Sequence, residues 1–180
     1  VIIRSIISHW HYGCIMTSLK IWSETTPRRY ISGIVALNLP TSPDSGDWHT
    51  VEMLSALNRG APIPLRLAGE NTEFDGFGYF GSEGVIEASE VIKHLGETVQ
   101  GPVHVATHPR AIADMLMFRL PGGASALAHL DLDAWLPEGG KASVARLLWK
   151  ARRGLSNEQV ILLERLLGRR LSKGGVDEAA

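Results

Sequence analysis

Val144, Leu147, Leu148 and Ala151 fall at the i, i+3, i+4, i+7 spacing of one helix face. After a short break Val160, Leu163, Leu166 and Leu167, at i, i+3, i+6 and i+7, form the next stripe. Between them Gly154 can end the first helix, and Ser156 with Gln159 three residues later forms a capping box that starts the second. Two apolar stripes so close together must bury each other or share a third layer. A helical hairpin over residues 141–173 is therefore predicted, and an all-β chain is excluded.

The rest of the chain mixes helix and strand signals. Thr26-Pro27 reads as a helix opening, with Tyr30, Ile31, Ile34 and Val35 at helical spacing, although Ile31–Leu39 is β-branched enough to be a strand. Two prolines and a glycine make 39–46 a loop, Thr50–Asn58 reads as a short helix, and Ile63–Leu67 as an edge strand. The glycine-aromatic run Asp75–Gly84 suggests a turn or hairpin, and Glu87–Leu95 a helix. A strand around Val103–Ala106 then leads into a helix opened by Pro109, capped by Thr107 or His108. Leu130 and Leu132 alternate with polar residues, as in a strand or the start of a helix. The expected architecture is a compact α+β domain over 16–136 carrying the hairpin at its C-terminal end. Residues 1–15 are read either as a β-strand or, preferably, as lying upstream of a true start at Met16.

Composition narrows the class. With 180 residues, 44% apolar and 21% charged, the chain can bury a core without staples, which excludes disordered and fibrous chains. Its one cysteine, Cys14, cannot close an internal disulfide, and no apolar run reaches the roughly 18 residues of a membrane span. A cytoplasmic location is expected, with no membrane partner. The overall charge of −1 conceals an asymmetry: residues 141–173 hold nine basic and two acidic residues, a net +7. Lys141, Arg146, Lys150, Arg152, Arg153, Arg165, Arg169 and Arg170 form the candidate surface for docking a protein or a nucleic acid. The second helix has few base-reading side chains, so specific DNA readout is not expected.

Several segments offer chemistry. Gly76, Gly78 and Gly81 spell a G-x-G-x-x-G, but polar residues precede it, bulky Phe77, Tyr79 and Phe80 crowd it, and no helix follows at once; tight turns between packing aromatics are the better reading. In the loop Asp44–His49, Asp47 could orient the His49 imidazole for proton transfer. At the junction after Val105, Arg110 could clamp an anion, His108 could act as acid or base, and Asp114 lies one helical turn beyond Arg110. His104 and His108 flank the strand-to-helix junction and, on one strand, would be too far apart to share a metal unless the chain turns between them, whereas His129, Asp131 and Asp133 could do so only loosely. No cofactor or metal is assigned.

Residues 28–49 (Arg28-Arg29-Tyr30 through Gly46-Asp47-Trp48-His49), 79–86 (Tyr79-Phe80-Gly81 to Ile86) and 107–117 (from Thr107-His108-Pro109-Arg110) are similar to segments of a family of small bacterial proteins. That family is associated with mobile-element or toxin–antitoxin-like gene neighbourhoods and has no assigned activity. The resemblance implies that Asp47, His49, His108, Arg110 and Asp114 form one site, with the basic hairpin as a separate partner-binding element. Two functions are therefore expected to compete. One is a binding component docking a protein or nucleic acid; the other is a small enzyme acting on a phosphate-bearing or nucleotide substrate.

Overall fold

Thr26 and Pro27 do not open a helix. In the computed structural model, which describes residues 24–41, 66–94, 98–128, 130–136 and 139–172, the Thr26 hydroxyl accepts from the backbone N–H groups of Arg28 (3.2 Å) and Arg29 (3.0 Å). This closes a turn leading directly into strand β1, Arg29–Ile31. A hydroxyl that can cap a helix closes a threonine turn equally well, so local chemistry could not separate the two. The helical spacing is split: Tyr30 and Ile31 lie in β1, whereas Ile34 and Val35 lie in a short helix α1, Gly33–Leu37.

The sheet is mixed. Strand β1 pairs antiparallel with β2 (Leu67–Gly69) and parallel with β4 (His104–Ala106), and β4 pairs antiparallel with β3 (Val85–Glu87). The spatial order is β2-β1-β4-β3, with Ile31 opposite Val105 at the centre. The edge strand expected at 63–67 is seen from Leu67 onward; the rest of it, the loop before it and the helix expected at 50–58 lie largely or wholly outside the described residues.

Two further expectations are corrected. The run 75–84 is neither a simple turn nor a hairpin: it contains a short helix α2, Gly76–Phe80, whose N-cap Asp75 accepts from the Gly78 N–H at 2.9 Å. A tight turn with positive φ at Gly81 and Gly84 follows, and then β3, whose last residue, Glu87, was expected to start a helix. That helix, α3, spans Ser89–His94. Of the two readings of Leu130 and Leu132, the start of a helix is the one seen: a short helix α6, Leu132–Trp135, follows α4 (His108–Arg119) and α5 (Gly123–Leu127).

Helix α4 is the centre of the molecule. His108 and every residue from Arg110 to Met117 are buried, so it presents no solvent stripe and must be enclosed on all sides. Helix α1 covers it from one direction, and α7, Gly140–Ala151, packs against it from another. The last helix, α8, Asn157–Leu167, rests on α7 and α5, and its capping box is complete in both directions. Val144, Leu148, Leu163 and Leu167 belong to the same buried apolar cluster as Ile31, Val105, Ile112 and Leu116. The hairpin is thus packed into the α+β unit rather than projecting from it.

Candidate functional site

Arg110 and Asp114 stand one turn apart on α4, and both side chains are completely buried. Arg110 Nε donates to Asp114 Oδ1 at 3.0 Å. Nη1 donates to the carbonyls of Gly81 (3.1 Å) and Glu83, and Nη2 to the Tyr30 hydroxyl and the Gly76 carbonyl (2.9 Å). A guanidinium has five N–H donors, and all five are taken. Tyr30 and Phe80 cover its faces, with ring centroids 4.8 and 4.9 Å from the guanidinium carbon. Asp114 also accepts from Ser32 Oγ at 2.7 Å and from the Tyr30 hydroxyl at 3.1 Å.

This corrects the anion-clamp expectation for Arg110 and the catalytic expectation for Asp114. Arg110 has no donor left for a ligand, and Asp114 has no solvent-facing surface. The pair instead joins β1, α2, the 81–84 turn and α4. Burial pushes the Asp114 carboxyl upward, opposed by the Arg110 charge and the hydrogen bonds it accepts. Burial, reinforced by the adjacent Asp114, also drives the Tyr30 hydroxyl far above the ordinary phenol range. Gly76 owes its identity to this network. A Cβ there would lie 2.5 Å from Tyr30 Oη and 2.6 Å from Asp114 Oδ1. The G-x-G-x-x-G run therefore serves close packing over an internal arginine.

The other candidates do not gather around this pair as an open site. Asp47 and His49 lie outside the described residues. The His108 ring is buried, with Nε2 3.4 Å from the Leu39 carbonyl, and burial lowers its pKa below the ordinary 6.5. His104 lies in β4 and His108 in the first turn of α4, so they do not share one strand. Asp131 and Asp133 are exposed beside a shallow depression of about 320 Å³ lined by Ala128, Leu130, Leu132 and Leu166. Among the described residues no group of three or more His, Cys, Asp or Glu side chains could hold a metal ion.

The basic hairpin divides into engaged and available cations. Lys141 pairs with Asp133 at 2.5 Å. Lys150 and Arg146 (3.3 Å) both pair with Glu83, whose backbone carbonyl accepts from Arg110. The hydrogen bond from Lys150 is the main reason the Glu83 carboxyl is held below its usual range. Arg152 lies over the Trp149 ring at 4.9 Å. Arg153, Arg165 and Arg170 are exposed and make no ion pair among the described residues, and Arg169 is half-buried. Tyr30, Ser32 and Glu83 are the residues that sequence reasoning missed. Each joins its partners across a long stretch of chain, and no local pattern announces that.

These features define an α+β domain with an internal arginine–aspartate pair and a packed helical hairpin bearing exposed arginines. No family model matches the chain, and comparison with curated proteins and solved structures finds no similar protein. No helix among the described residues is long and apolar enough to cross a membrane.

Proposed function

We propose that the protein is a cytoplasmic binding component that docks an acidic protein partner through its C-terminal hairpin. Following the resemblance described above, that partner is assigned to a toxin–antitoxin-like pair. The supporting observation is the set of exposed arginines, Arg153, Arg165 and Arg170, held on a capped and core-anchored helix pair. Rigid placement lowers the entropy lost when such side chains meet a charged partner. A protein suits the surface better than a phosphate backbone does. Intramolecular ion pairs already engage Lys141, Arg146 and Lys150, and exposed Glu158 interrupts the remaining positive track. The rival reading, an enzyme acting on a phosphate-bearing substrate, loses Arg110 and Asp114 to the interior and keeps only buried His108 among the described residues.

The test is a pull-down with the full tagged chain against R153E/R170E, with and without nuclease. A protein captured by the wild type despite nuclease, and lost with the variant, is expected. Equal capture by both chains would remove the hairpin as the docking surface. Nuclease-sensitive capture would move the partner class to nucleic acid, whose affinity should fall steeply with salt.

A further inference from the structure

Helix α8 carries a solvent-facing stripe that the other described residues leave uncovered. Val160, Leu163 and Leu167 point into the core, and the opposite side presents Glu158, Ile161 and Arg165, with Leu162 half-buried beside them. Ile161 is 56% exposed, one of only two large apolar side chains so open among the described residues. Glu158 and Arg165 are two turns apart, about 10 Å along the axis, too far to pair within one helix. Neither makes an ion pair with any other described residue.

We propose that this stripe is a self-association surface on which α8 of a second copy packs antiparallel about a two-fold axis. The arrangement is self-complementary. With the axis between Ile161 and Leu162, Glu158 of each copy faces Arg165 of the other, and Ile161 of each faces Leu162 of the other. A two-fold interface requires one patch to match itself in this way, with each contact occurring twice. The apolar centre supplies affinity, while the two ion pairs fix register and direction, since exposed pairs add little binding energy of their own. The seam is only an 11-residue helix long and has arginines beyond both of its ends, so the dimer is weak and concentration-dependent. This inference shares Arg165 with the docking surface, but the two tests stay distinguishable, because the pull-down changes Arg153 and Arg170 and leaves the stripe intact.

Sedimentation velocity on the full chain, from low-micromolar to sub-millimolar concentration, tests it. The wild type should shift from monomer to dimer. E158R and R165E alone each place like charges opposite one another twice, and each should weaken association by about tenfold or more. An equimolar mixture of the two single variants restores both attractive pairs and should form a heterodimer although neither variant dimerises alone. The E158R/R165E double swap should also recover the dimer. Its charges oppose the helix dipole at both ends, so circular dichroism must confirm the fold. A wild-type monomer throughout, or a dimer indifferent to the single changes, would overturn the proposal. So would a mixture that fails to associate while both variants remain folded.

Discussion

Arg110 shows how far one residue's role depends on its surroundings. Its i, i+4 spacing to Asp114 is plain in the sequence and would suit an exposed helix pair or a ligand clamp equally well. What decides between them is Tyr30 and Ser32, 84 and 82 positions before Asp114, together with the carbonyls of Gly76, Gly81 and Glu83. Removing one partner of a buried ion pair leaves the other charge uncompensated, at about 3–5 kcal/mol. Arg110→Met should therefore lower urea-unfolding stability by that amount, and Arg110→Met/Asp114→Leu by clearly less than the sum of the single changes. Fully additive losses would mean that the two side chains do not act as a unit. His108 supplies a pH dependence. Its folded pKa is depressed by burial, so the unfolded chain binds the proton more readily. Its contribution is full above pH 6.5 and is lost as pH falls through the lower folded value. Wild type and His108→Leu should thus differ in the slope of stability against pH below 6.5, with the wild type steeper.

Elements were legible where their determinants are local. The Ser156–Gln159 capping box lies within four residues, and both of its bonds form as read, at 3.0 and 3.2 Å. Ser156→Ala should lower the thermal midpoint by an amount equivalent to about 1 kcal/mol, the usual cost of an N-cap. An unchanged midpoint would show that α8 is held by packing alone. Helix α2 was not legible, because two glycines in five residues argue against a helix on propensity. It forms because Asp75 caps it and because the core needs the Gly76 carbonyl at Arg110, where a side chain would collide with Tyr30 and Asp114. The strand β3 was hidden for a related reason. Its three residues carry almost no pattern, and it is defined by pairing with β4, about twenty residues downstream.

At the scale of the whole molecule, the hairpin is part of the core. Val144, Leu147, Leu148, Val160, Leu163 and Leu167 are all buried. Each such side chain is worth about 1.5–3 kcal/mol when removed from water, so together they stabilise by on the order of 10 kcal/mol. That matches the entire net stability of an ordinary domain. A chain ending after Gly140 should consequently fail to fold, visible as loss of dispersed amide resonances and of a cooperative melt. Retention of both would show that residues 24–136 stand alone. Charge reversal at exposed arginines, not truncation, is therefore the sound way to probe docking.

The sequence by itself determined what short-range forces control: the periodicity and caps of α7 and α8, the mixture of helix and strand, and a strongly basic C-terminal segment. Only the tertiary structure decided which of those charges are free to act. Glu83 reaches Lys150 across 67 positions and takes two cations out of play, while Arg110 is carried inside and fully satisfied. Helix and cap bonds close over a few residues and leave a local signature. Long-range ion pairs and burial are settled by which surfaces meet when the chain collapses, and no spacing along the sequence records that.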